Sequence, residues 1–341
     1  MTPQMPTTLP DIRTDHGRAH LDTHEWPFIT GFDILPETAN LLEDSSMPSK
    51  MTIVCDRASQ HLFLPTLAES LQHHHKEITS PQDADLFLFM GGQNTMLAAH
   101  RFAMHNPTTP YILLPTTLMA QVSGALGPQN STGAWHPPLF SLCDIATLSA
   151  MGKRHFRSNY AHIARLALSM DEGLFSWLEW WGSKAIGGEI SARLVIVRKC
   201  AILTQKIALD PSLAPALHLG EDFAIALMQA GHFSESLFPG EALALGIRMA
   251  FGLSVRMGYC PTEEAARMRK HLQIAGFQTS LRKSQAPHAL HAAEVMAEMN
   301  ISSRGTPPSG IVLARGIGKV FTTHEIDPDD MAAVIDKVLC E

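Results

Sequence analysis

Along the chain, short apolar runs alternate with longer stretches in which apolar residues recur every three or four positions. The runs "WPFITGFDIL", "MTIVCD", "LFLFMGG", "YILLPTT" and "LFSLCD" are bounded by Gly, Pro and Asp and predict strands. Between them, "PETANLLED", "LPTLAESLQHHHK" and "TMLAAHRFAMH" have helical length and period. Strands separated by helices indicate a parallel sheet with crossover connections, so residues 25–150 read as a Rossmann-like α/β domain. Residues 1–24, "MTPQMPTTLPDIRTDHGRAHLDTH", show no apolar period and read as a disordered tail.

After "LSAMGKRHF" the pattern changes to long amphipathic or apolar helices, among them "NYAHIARLALS", "EISARLVIVRKCAILTQKIAL" and "GEALALGIRMAFGLSVRMG". Residues 151–341 therefore read as a helical domain. It carries a late hairpin near 310–324, around Gly316-Ile317-Gly318, and a last helix opened by the acidic turn of "DPDDMAAVIDKVL". The fold class is α/β plus all-α.

Composition narrows the functions this chain can have. At 341 residues and 45% hydrophobic content, it can bury a core in each of two domains. Its net charge of -7 is spread without long single-sign runs, which argues against a nucleic-acid or membrane-surface partner. No apolar run approaches the roughly 18 residues of a membrane span, so the chain reads as a cytoplasmic protein acting on a small molecule. Cys55, Cys143, Cys200, Cys260 and Cys340 are odd in number and lack CxxC spacing, so neither a disulfide framework nor a zinc knuckle is expected.

The candidate chemistry begins with glycines. Gly91-Gly92 closes a predicted strand, Asp56 ends another, and Thr116-Thr117 follows a third. Glycine at a strand end admits a pyrophosphate, which makes these residues a candidate NAD site; the same turn without a ligand is equally compatible with the pattern.

The order of further landmarks resembles the 3-dehydroquinate synthase and sugar phosphate cyclase superfamily. "LLPTTLMAQV" resembles its Pro-Thr-Thr-Leu-Leu-Ala-Gln, "GAWHPP" its Gly-Ala-Phe-His-Gln-Pro, and "YAHIARLALS" the helix beginning Ala-Glu-Val-Ile-Lys. "LHLGEDFAIA" resembles Leu-Asn-Phe-Gly-His-Thr-Phe-Gly-His-Ala, and "PGEALALG" resembles the segment reading His-Gly-Glu. The resemblance implies a Rossmann-like domain followed by a helical one, a homodimer, bound NAD, and a divalent metal held by a Glu and two His.

The departures fall on the working residues. The metal Glu aligns with His162, the first metal His with Glu221 and the second with Pro239. Imidazole and carboxylate both bind Zn, Fe or Mn, so His162 and Glu221 are candidate ligands with exchanged roles, completed by His232. His232 and Glu235, in the loop before Pro239, are also the candidate proton-transfer groups. On the bland reading, His162 is a hydrogen-bonded core histidine and Glu221 a first-turn acid.

The family's phosphate-facing lysines are missing from the shortened loop "SGALGPQNSTGAWHPP", and Asn300-Ile301-Ser302 replaces its Asp-Lys-Lys. A leaving phosphate needs several cations. The sequence therefore predicts a diverged cyclase-like enzyme of secondary metabolism, using NAD, a metal or both, that is not an authentic 3-dehydroquinate synthase. The alternative is a pseudoenzyme serving as a binding or partner subunit.

Overall fold

The computed structural model describes residues 14–21, 24–42, 48–126, 136–232, 236–281, 290–302 and 310–340. Two compact units emerge, one of Met1–Gly152 with Gly188–Leu209 and the other of Lys153–Gly187 with Asp210–Glu341.

The first unit is built on one seven-stranded sheet. Its strands are β1 (Thr14–Leu21), β2 (His24–Gly31), β3 (Lys50–Cys55), β4 (Glu77–Ile78), β5 (Leu86–Gly91), β6 (Tyr111–Pro115) and β7 (Ser141–Asp144), in the order β1-β2-β7-β6-β5-β3-β4. β1 lies antiparallel on β2, and the other pairs are parallel. The near-continuous apolar runs of β5 and β6 follow from burial on both faces. Leu86, Leu88, Met90, Ile112 and Leu114 point to one side, Phe89, Tyr111 and Leu113 to the other.

Helices α1 (Arg57–Leu62), α2 (Leu64–His73), α3 (Gln93–His105) and α4 (Leu118–Val122) connect the strands. α2 covers the first face through Leu67 and Leu71, and α3 the second through Met96, Ala99 and Ala103.

Three expectations are corrected here. The polar string "TDHGRAHL" is the edge strand β1, not a tail, paired from Thr14↔Gly31 to Leu21↔His24. Ladder bonds hold such an edge, so its side chains need no apolar alternation. The helix expected through "PETANLLED" is two 3-10 turns, Leu35–Thr38 and Asn40–Leu42, because the buried Asp144 carboxylate fixes the chain just before them by accepting the Asp33 and Leu35 amides at 2.8 and 2.9 Å. The helix Ile190–Leu209 belongs to the sheet unit rather than the helical one, and its Arg198 donates Nε–H to Thr30 Oγ1 on β2 at 2.9 Å.

The second unit contains α5 (Lys153–Met170) and α6 (Glu172–Gly187); the helix Ile190–Leu209 is α7. It continues with α8 (Glu221–Ala230), α9 (Pro239–Arg256), α10 (Thr262–Ile274) and α11 (Ala292–Ser302). The hairpin of β8 (Ile311–Gly316) and β9 (Lys319–Thr323) and the last helix α12 (Pro328–Cys340) complete it. α9 is buried all round over Ala242–Ala250, as a helix hydrophobic on every face must be. It touches α5, α8, α10, α12 and β8, which makes it the axis of this unit. Among the described residues, no helix is long and apolar enough to cross a membrane.

Candidate functional site

In the sheet unit, Asp56, Gly91, Gly92, Thr116 and Thr117 come together at the C-terminal ends of β3, β5 and β6. The chain adds β4 on one side of β3 and then β5 on the other, so this is the topological switch point of the sheet, where ligands bind in open α/β folds. Asp56 follows the last residue of β3 and caps α1, its Oδ1 accepting Ser59 N–H at 2.8 Å. Its Oδ2 accepts the Gly92 amide at 2.8 Å, and these bonds, outweighing partial burial, hold its carboxyl below the usual aspartate range. Thr116 Oγ1 lies 3.1 Å from Ser59 Oγ, and Thr117 caps α4. A Cβ on Gly91 would fall 2.3 Å from Thr95 Oγ1 and 2.5 Å from Asp56 Oδ2, so only glycine leaves this cradle open. The residues fit a dinucleotide: bare backbone, a helix N-terminus at α3, and no bulky side chain on the loop.

In the helical unit, α9 starts with Pro239 at its first position, where the missing N–H costs nothing. Gly240 donates its amide to Ser158 Oγ on α5 at 2.9 Å. Glu241 accepts a bidentate pair from Arg154, Nε at 2.8 Å and Nη2 at 2.7 Å, and the Phe238 amide at 3.0 Å. Partial burial alone would raise the Glu241 carboxyl, but these donors hold it below the ordinary range. Gly240 and Glu241 thus work as packing and capping residues, and the position before them carries no donor atom.

One turn along α5 from Ser158 stands His162, and Arg165 follows three residues later. α8 begins beside them with Glu221, behind Gly220 in a left-handed turn (φ 76°); a Cβ there would meet the Ile247 amide nitrogen at 2.4 Å. Glu221 Oε2 is 2.6 Å from His218 Nδ1, and Oε1 is 3.7 Å from Arg165 Nη1. Burial and then the Arg165 charge push His162 down to about 4, against the opposing pull of Glu221, so the ring is neutral at neutral pH. His218 is raised by its bond to Glu221. Glu221 itself, despite burial, is lowered by His218 and Arg165.

This donor set does not fit a divalent metal. His162 and Glu221 are within electrostatic reach of each other, but both Glu221 oxygens are engaged, Oε2 by His218 and Oε1 by Arg165. His232 does not join them. It follows the C-terminal end of α8 with φ 54°, while Glu221 opens that helix, about 14 Å away along the axis at 1.5 Å per residue. Among the described residues, no group of three or more His, Cys, Asp or Glu is placed to hold a metal ion. Glu235 lies outside the described residues, as does the whole of the loop "GPQNSTGAW". Sequence reasoning missed Arg165 and His218; each sits three residues from a candidate ligand, the spacing that places side chains on one helix face or across one turn.

The fold is that of the sugar phosphate cyclases. A solved 2-epi-5-epi-valiolone synthase of Streptomyces hygroscopicus with NAD+ and Zn2+ bound superposes with a TM-score of 0.75 at 20% identity, over 94% of this chain and 98% of that one. A 2-deoxy-scyllo-inosose synthase complexed with carbaglucose-6-phosphate, NAD+ and Co2+ gives 0.72 at 15% identity, over 95% and 100%. The family model for the 3-dehydroquinate synthase C-terminal domain matches residues 159–299. The 3-dehydroquinate synthase of Ruegeria pomeroyi is 30% identical over 74% of this chain and 71% of its own length. The chain belongs to the 3-dehydroquinate synthase family.

Proposed function

We propose that this chain is a diverged member of its family that acts on a small molecule of secondary metabolism by NAD-assisted lyase or cyclase chemistry and does not make 3-dehydroquinate. The observation that carries this reading is Glu221, which at the first metal-histidine position is bound to His218 and Arg165, while Pro239 stands at the second. Without a metal, a ring hydroxyl loses the group that acidifies it, and a substrate activated in another way is required. Asp56, Gly91, Gly92, Thr116 and Thr117 would hold NAD, which when bound supplies a hydride acceptor and then a hydride donor. The named functions of the relatives support the reaction class, and the chain's own residues argue against the relatives' substrate. A homodimer belongs to the same proposal, and light scattering tests it.

The experiment supplies the family's seven-carbon phosphorylated sugar acid with NAD and Zn2+ or Co2+ and measures phosphate release, beside a calorimetric titration with NAD alone. The expected result is NAD binding without phosphate release. Turnover near that of an ordinary synthase overturns the proposal. A second reading, a non-catalytic partner subunit, is favoured by one contact: the Asp56 carboxylate already occupies the Gly92 amide. A chain that binds no NAD selects that reading.

A further inference from the structure

We propose that the groove between α9, α10 and α12 binds a small organic anion, an apolar body carrying a carboxylate or a phosphate. The groove lies wholly within the helical unit. Along α9 its residues begin about 14 Å beyond Pro239, at 1.5 Å per residue, so it is separate from the position where the family's metal ligands align.

Each helix contributes one face. Arg248, Gly252 and Arg256 recur at every fourth position of α9 and share a side. Thr262, Ala265, Ala266 and Arg269 do the same on α10, and Ala333, Val334 and Lys337 on α12. Glycine lets α12 come close to α9: a Cβ on Gly252 would lie 3.2 Å from Val334 Cγ1. The three alanines are too short to fill the space that remains, and a cavity of about 380 Å³ is left, within the range of small-molecule sites. The buried side chains of Met268, Val334 and Val338 give it an apolar floor.

The charge of the groove is one-sided. Arg248, Arg256, Arg269 and Lys337 line it from three helices, and no Asp or Glu is among the lining residues. Arg248 is 6% exposed, while the other three are exposed. Asp330 on α12 pairs with Arg256 and offsets one of the four charges. Like charges gathered over apolar surface raise one another's energy, a cost that an anion in the groove relieves. Arginine forks from two helices suit the paired oxygens of a carboxylate or phosphate, and the apolar floor takes the body that carries them. An inorganic ion would leave that floor unused.

Calorimetric titration of the purified full chain tests this with 1-naphthyl phosphate, 1-naphthoate and the uncharged 1-naphthalenemethanol. Saturable one-to-one binding of at least one anion is expected, at least about tenfold tighter than the alcohol, and the tighter anion identifies the head group. Arg269→Gln combined with Lys337→Gln, both at exposed positions, should weaken the anion at least about tenfold and leave the alcohol unaffected. Ala333→Leu keeps every charge but fills the cavity, and should weaken anion and alcohol alike. Far-ultraviolet circular dichroism establishes that each variant is folded. The proposal is overturned if neither anion binds, if binding survives both variants undiminished, or if inorganic phosphate binds as tightly as the naphthyl anions. An acidic hexapeptide that binds as tightly also overturns it, and assigns the groove to a protein partner.

Discussion

Gly240 on α9 donates its amide to Ser158 Oγ on α5 at 2.9 Å, and the two helices are so close there that a Cβ on Gly240 would fall 1.9 Å from the Ser158 carbonyl oxygen. That oxygen is backbone and cannot rotate away. Gly240→Ala should therefore destabilise the helical unit by about 1–3 kcal/mol, the usual cost of overpacking, in urea unfolding. A neutral result would mean that the helices part without penalty.

Glu241 next to it satisfies the Phe238 amide and pairs with Arg154 through both oxygens. The Arg154 side chain is 41% exposed, so solvent screens part of the pair. Glu241→Gln keeps an acceptor for the amide but loses the charge, and should cost about 1 kcal/mol. The corresponding loss for Glu241→Ala should be larger, since the amide is then orphaned. Equal losses would count against the capping role.

Gly91→Ala tests the cofactor reading. The new Cβ would lie 2.5 Å from Asp56 Oδ2, forcing open the Asp56–Gly92 bond. NAD affinity should fall by at least about tenfold, equivalent to about 1.4 kcal/mol, with the far-ultraviolet circular dichroism unchanged. Undiminished binding would place NAD elsewhere.

Acid should weaken both units through buried histidines. His100 in the sheet unit and His271 in the helical unit are each pushed by burial down to about 4, with Nε2 at 2.8 Å from Gly124 O and at 3.1 Å from the Tyr160 hydroxyl. Between the ordinary value of 6.5 and 4, the unfolded chain binds protons that the folded chain refuses, so stability falls as pH falls. The slope is about 1.4 kcal/mol per pH unit for each histidine. Urea midpoints at pH 7 and 5 in wild type and His271→Gln measure it: the variant starts less stable but should lose less on acidification. Parallel losses would refute the assignment.

The sequence made the α/β alternation and the helical unit legible because β5 and β6 are unbroken apolar runs and α9 is a long helix apolar at nearly every position from Ala242 to Leu253. It hid β1, whose cohesion comes from backbone ladder bonds that leave no trace in side-chain polarity. Asp56, Gly91 and Gly92 were readable because a strand end followed by glycine is a local signal, and they do meet at the switch point. Arg165 was not, because its relation to Glu221 runs across two helices, and His218 was not, because its contact with Glu221 depends on the left-handed turn at Gly220 that lies between them. His232 looked close to Pro239 along the chain, but the length of α8 separates it from Glu221.

The left-handed turn at Gly220 bears on any attempt to rebuild this site. A Cβ there would meet the Ile247 amide nitrogen at 2.4 Å, so the start of α8 is set against the backbone of α9 by glycine alone. The place of Glu221 is therefore fixed by main-chain geometry rather than by the bonds its carboxylate makes. Exchanging that side chain alters the chemistry offered at the point without moving the point.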